Sequence, residues 1–214
     1  MIDPAALDRL RALARARCEG ADSAHDWQHV ARVHASAVSL AEGVGADVEV
    51  CGLAALLHEL FNFPKGHPDS KRSGEVCAAH AREALRAEGV REEVVEAVAY
   101  AIAVHPFSLG VTPDTLEAKV LQDADRLDAI GAIGVARCFA TCASMGRPFY
   151  HPEDPWCAAR EPDDKLWGVD HFAKKLLRLE GMFHTEAARV LARGRTAFMR
   201  GFLDQLAAEV RGAR

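Results

Sequence analysis

The chain has 214 residues, half of them apolar, enough for one substantial hydrophobic core, and a single domain over 1–214 is the expectation. Its 26 Lys plus Arg stand against 31 Asp plus Glu, a formal charge of −5, which argues against a nucleic-acid footprint or a polybasic membrane-surface tract. The opening stretch MIDPAALDRLRALARARCEG has no continuous apolar segment and no apolar run approaches the ~20 residues that span a bilayer, so a cytoplasmic protein with a small, locally bound charged partner is expected.

Ala, Leu, Arg and Glu dominate and no run of alternating β-branched residues occurs, which predicts an all-α helical bundle. The first helix should start after Asp3, an N-cap with Pro4 at the first helical position, and stop near Gly20. Ser23 is a candidate cap for the second, which carries His25, His29, Val33, Ala37 and Leu40 on one face until EGVGAD breaks it. A third helix is expected from about Asp47 to Leu60. The stretch NFPKGHPDSKRSG must then be a loop, placed directly over whatever ends the third helix. Helices near 73–88 and 91–104 follow, then a long one over about 115–145. Gly131 and Gly134 inside that last helix each cost about 1 kcal/mol relative to alanine, and close helix–helix approach is the simplest reason to tolerate them. Residues 146–168 read as an irregular flap or surface excursion, and two amphipathic helices, 169–180 and 184–211, finish the chain. The six cysteines (Cys18, Cys51, Cys77, Cys138, Cys142 and Cys157) form no CxxC pair and read as reduced thiols, mostly buried.

The chemistry gathers around AALLHELFNF, residues 54–63, where an apolar helical run ends in His58 and Glu59. A carboxylate at the edge of a core is costly unless it is paired or bound to a cation. Adjacent helical residues point about 100° apart, so both can reach one ion only near a helix end. Nitrogen ligands are available from His25 and His29, one turn apart in HDWQHVARV. Carboxylates are available from LQDADRLDA, where Asp125 and Asp128 share a face and Asp123 competes. Two histidines with two carboxylates make a mixed N/O site suited to Mn, Fe, Co, Ni or Mg rather than to a structural zinc.

HDWQHVARV, AALLHELFNFPKGHPDSKRS, HPFSLGVTPDTLEAKVLQDADRLDAIGAIGVARCF and HFAKKLLRLEGMFHTEAARVLARGRTAFMRGFLDQ occur in that order. On these segments the chain resembles the HD-domain superfamily of metal-dependent phosphohydrolases, and its small bacterial nucleotide-hydrolase branch in particular, over about residues 23–207. The resemblance implies a single helical domain that binds a divalent metal through His29, His58, Glu59 and Asp125 and hydrolyses a small phosphorylated substrate, a nucleotide or a related metabolite. Glu59 and His105 are the catalytic candidates, and Lys65, His67 and Arg72 the substrate contacts. The chain departs from the family's His-Asp dyad, since Glu59 is one methylene longer. A displacement of that order, about 1 Å, can cost roughly 100-fold in rate. Two other readings follow from the same residues: a dinuclear iron oxygenase, which needs His80 and His105 as further ligands, and a domain that binds metal or nucleotide without turnover. His105, at a helix end, is expected to line the site, and His80 to be incidental.

Overall fold

In the structure, a computed structural model that describes residues 2–20, 26–64 and 67–212, the first helix forms where its signals lie. The Asp3 carboxylate accepts the Ala6 N–H at 3.2 Å, and α1 (Pro4–Arg17) buries Ala6, Leu10 and Ala14. Among the described residues the fold is all-α, with no strand. No single helix of these residues is long and apolar enough to cross a membrane. The chain divides into two compact units, Met1–Asp125 and Arg126–Arg214.

The first unit holds α1, α2 (Trp27–Val44), α3 (Val48–Leu57), α4 (Ser73–Ala87), α5 (Glu92–Val104) and most of α6 (Leu116–Asp128). Helix α3 is its centre. Every residue from Val50 to Leu57 is buried, so the helix has no polar face, as expected of one surrounded on all sides; α1, α2 and α5 pack against it. The second helix starts at Trp27, not after Ser23, which lies outside the described residues with His25. Asp26 is the cap, its carboxylate accepting the His29 N–H at 2.9 Å.

The expected helix over 115–145 is two helices. Helix α6 ends at Asp128, and α7 (Gly131–Ser144) starts after Ile130 in extended backbone and Gly131 at φ +73°, a conformation in which a side chain is strained. A Cβ on Gly131 would also stand 3.0 Å from the Arg195 side chain of α9 (Glu186–Val210), and one on Gly134 would stand 2.3 Å from Ala129 O. The two glycines therefore serve the break, with Gly131 also admitting the neighbouring helix. Two arginines cap the end of α6: Arg137 donates to Asp128 O and pairs with its carboxylate at 2.7 Å, and Arg195 donates to Leu127 O.

Residues 146–168 are irregular, as expected, and one side chain organises them. Asp170, in the short α8 (Asp170–Lys174), has no solvent exposure; it receives both guanidinium arms of Arg160 at 2.5 and 2.7 Å, the Asp163 N–H at 2.6 Å and the Cys157 thiol at 3.4 Å. Burial alone would raise this carboxyl, but the Arg160 fork and the Asp163 N–H outweigh it and hold it below its ordinary value. The expected helix over 169–180 is α8 followed by a 3₁₀ stretch, Leu176–Met182. All six cysteines are free and five are buried. Burial pushes the Cys51, Cys77 and Cys138 thiols up to about 12 and Cys157 up to about 11.

Truncating Asp170 to alanine leaves Arg160, with only 20% of its side chain exposed, without its partner. Asp170→Ala is expected to lower stability by about 3–5 kcal/mol in urea titrations, and a loss below about 1 kcal/mol would show that the pair does not anchor the segment.

Candidate metal centre

Helix α3 stops at Leu57, which is what lets two adjacent residues face one point. His58 is its C-cap (φ −68°, ψ −14°) and Glu59 follows in the closing turn. The last carbonyls of a helix lack intrahelical partners, and here side chains supply them. His58 Nδ1–H donates to Ala55 O at 2.7 Å, and the buried Cys77 thiol of α4 donates to His58 O at 3.2 Å and Leu57 O at 3.4 Å. A carbonyl only accepts, so Nδ1 carries the proton and the lone pair of neutral His58 is on Nε2.

That lone pair faces another ring. His29 occupies the first turn of α2, and its Nε2 lies 3.2 Å from His58 Nε2, with both residues buried. Asp125, on α6, brings Oδ1 to 3.6 Å from His29 Nε2. One ligand atom from each of His29, His58 and Asp125 lies within 4.8 Å of the others. Glu59 Oε1 stands 3.9 Å from each imidazole Nε2, within ion-pair range of both rings, but the group of three whose ligand atoms lie mutually within 4.8 Å does not include it. An octahedral cation with bonds of about 2.1 Å spaces neighbouring donors about 3.0 Å apart, and the 3.2 Å nitrogen pair and the 3.6 Å nitrogen–oxygen pair are close to that edge length. Imidazole plus carboxylate donors, with no thiolate, suit the harder first-row divalent ions and Mg. Full burial, partly opposed by Glu59, pulls His58 down to about 4, so the ring is neutral and ligand-competent at physiological pH.

The remaining candidates divide. His105 is the C-cap of α5 and repeats the His58 arrangement: Nδ1–H donates to Ile102 O at 2.6 Å, and the ring stands nearly perpendicular to that of His58, centroids 5.4 Å apart. His80 packs on Phe61 at 5.6 Å. Among the described residues, the metal-competent group contains neither His80 nor His105. Asp128 pairs with Arg137 in the second unit. In the loop after the dyad, His67 stacks on Phe63 (4.6 Å, 12°) and its Nδ1 accepts the Asp69 N–H. Arg72 pairs with Glu75 at 3.1 Å on the exposed start of α4. Lys65 lies outside the described residues. Two contributors escaped the sequence reading. Cys77 braces the dyad turn, and Gln122, one turn before Asp125, donates its amide to Val104 O at 2.9 Å and Val111 O at 3.0 Å. Neither contact has a local sequence signal, because each partner lies more than ten residues away.

A family model described as the HD domain matches residues 26–130. The protein YpgQ of Bacillus subtilis (strain 168) is 36% identical over 194 residues, covering 89% of this chain and 86% of its own length. Its crystal structure in complex with ADP superposes with a TM-score of 0.75 at 33% identity, over 96% of this chain and 95% of the other. An HD-superfamily hydrolase from Bacillus thuringiensis superposes with a TM-score of 0.72 at 32% identity, over 95% of each chain.

The depressed His58 makes the metal-free fold acid-sensitive. Unfolded histidine takes up a proton near pH 6.5, whereas folded His58 does so only near 4, so the stability present above pH 6.5 is lost as pH falls through that window. Chelator-treated wild type is expected to lose about 3 kcal/mol more between pH 7 and 4 than His58→Gln, measured by urea titration at each pH. Equal losses would mean that His58 is accessible to protons in the folded state.

Proposed function

The chain belongs to the HD-domain superfamily, and on that footing we propose that it is a metal-dependent phosphohydrolase acting on nucleotides. The observation that carries the reading is the buried group of His29, His58 and Asp125, in which His58 Nε2 presents a lone pair to its neighbours. The ADP bound by the related B. subtilis protein supports a nucleotide as the ligand class. His29, His58 and Asp125 hold the divalent ion, and Glu59 adds a second carboxylate. Bound there, the ion supplies Lewis acidity toward a phosphoryl oxygen and acidifies water.

The chain's own side chains do the rest. His105, whose Nδ1–H is engaged by Ile102 O, uses Nε2 as the proton acceptor: it takes the proton of the attacking water as the new P–O bond forms and the anhydride P–O bond breaks. The loop after the dyad carries the phosphate contacts. His67 Nδ1 accepts from the backbone, which leaves Nε2–H to donate to a phosphate oxygen. Lys65 and Arg72 bring positive charge on the same loop, Arg72 by exchanging Glu75 for phosphate.

The test is product-resolved hydrolysis of ribo- and deoxynucleoside mono-, di- and triphosphates by metal-stripped protein with Mn, Mg, Co or Ni added back. Turnover is expected only with metal, with pyrophosphate released from triphosphates. His58→Ala and Asp125→Ala should each lower turnover by at least about 100-fold while melting cooperatively. Turnover that survives both chelation and His58→Ala would overturn the proposal. Glu59→Asp separates two roles for the longer acid: a fall in rate means that the site is built around glutamate, and activity gained from a silent wild type means a binding domain that lost its alignment.

A further inference from the structure

Gly74 lies in the first turn of α4 and is buried against the end of α5. A Cβ built on it would stand 2.6 Å from Ala103 O, 3.0 Å from Pro106 Cγ and 3.1 Å from Pro106 Cδ. Ala103 and Pro106 bracket His105. The first of these contacts is with backbone, which cannot swing aside as a flexible side chain can, and the second is with a closed ring. The same short segment is held from other directions: the His105 ring bonds Ile102 O, and the Gln122 amide bonds Val104 O. Residues 102–106 are thus bonded at Ile102 and Val104 and hemmed in by Gly74 at Ala103 and Pro106, and the His105 ring they carry stands edge-to-face with that of His58.

We propose that Gly74 is a positioning residue for His105: the missing Cβ lets α4 close onto the end of α5 and sets where the imidazole stands relative to the metal-ligand group. The effect on rate rests on the reading of His105 as the proton acceptor, whereas the placement of the ring does not. The atoms that a Cβ on Gly74 would meet belong to Ala103 and Pro106, whereas α4 itself is tied to the dyad turn through Cys77, so crowding at Gly74 is expected to be relieved by movement of residues 103–106, which displaces the proton acceptor and leaves metal binding in place. Misplacement of a reacting group by about 1 Å costs on the order of 100-fold.

The experiment compares wild type, Gly74→Ala, His105→Ala and the double variant. Gly194→Ala is the control, a helical glycine whose added Cβ meets nothing within 4 Å. Direct Mn titration, imidazole ¹H–¹⁵N spectra and steady-state kinetics are read on each. Gly74→Ala is expected to bind Mn within about threefold of wild type, to shift the His105 ring signals while those of His171 stay, and to lose roughly 10- to 100-fold in kcat with KM nearly unchanged. Introduced into His105→Ala it should cost nothing further, since the two act through one ring. Additive losses, or a fall in Mn affinity parallel to kcat, would overturn the proposal. If wild type proves inactive, the phosphohydrolase reading fails, but the ring signals still decide: a moved His105 supports the positioning role and an unmoved one refutes it. Should Gly74→Ala fail to fold, Pro106→Ala removes the facing ring. Shifted His105 signals with a several-fold loss of kcat would support the role, and unchanged signals would refute it.

Discussion

Two imidazole nitrogens 3.2 Å apart in a buried setting constrain everything around them. The His58 proton is committed to Ala55 O, so its Nε2 can only accept, and whatever lies between the rings must be a proton or a cation. Burial disfavours charging His58 itself, and the nearby carboxylates of Glu59 and Asp125 favour positive charge at the same spot. The architecture of the first unit follows from holding those side chains together: an α3 that is apolar and buried from Val50 to Leu57 to carry the dyad into the core, the start of α2 to supply His29, and α6 to supply Asp125.

Helix ends do the positioning. His29 stands in a first turn, and His58 and His105 each cap a last turn, where unpaired carbonyls make imidazole N–H groups welcome. A ring that satisfies the carbonyl three residues back is fixed in tautomer and direction at once. The same contact that completes the helix's hydrogen bonding thus prepares the opposite nitrogen for ligation or proton transfer. Cys77 and Gln122 extend this by bonding the neighbouring carbonyls, so the backbone under both histidines is tied down as well as the rings.

Much of this was legible in the sequence because its signals are local. Asp3 with Pro4 and Asp47 mark helix starts, and the apolar run through Leu57 marks a buried helix. The approach of His29, His58 and Asp125 was legible only through the ordered motifs, since 29 and 67 residues separate the successive members. What stayed hidden depends on tertiary contact. The apolar pattern continues through the break at Ile130, so periodicity could not reveal it, and only the left-handed backbone of Gly131 does. Asp26 caps α2, its carboxylate accepting the N–H of His29 three residues on, the reach that an N-cap side chain has. The Arg72 pairing with Glu75 is a surface contact that competes with the phosphate role its loop position suggested.

The thiols carry a consequence of a different kind. A group pushed up to about 12 presents about one thiolate in 10⁵ molecules at neutral pH, and Cys51, Cys77 and Cys138 are enclosed besides. Alkylation therefore has to wait for the fold to open, and the cysteines serve as an internal clock. Cys51 and Cys77 time the opening of the first unit and Cys138 that of the second, so per-residue labelling rates resolve whether the two units open together or in turn.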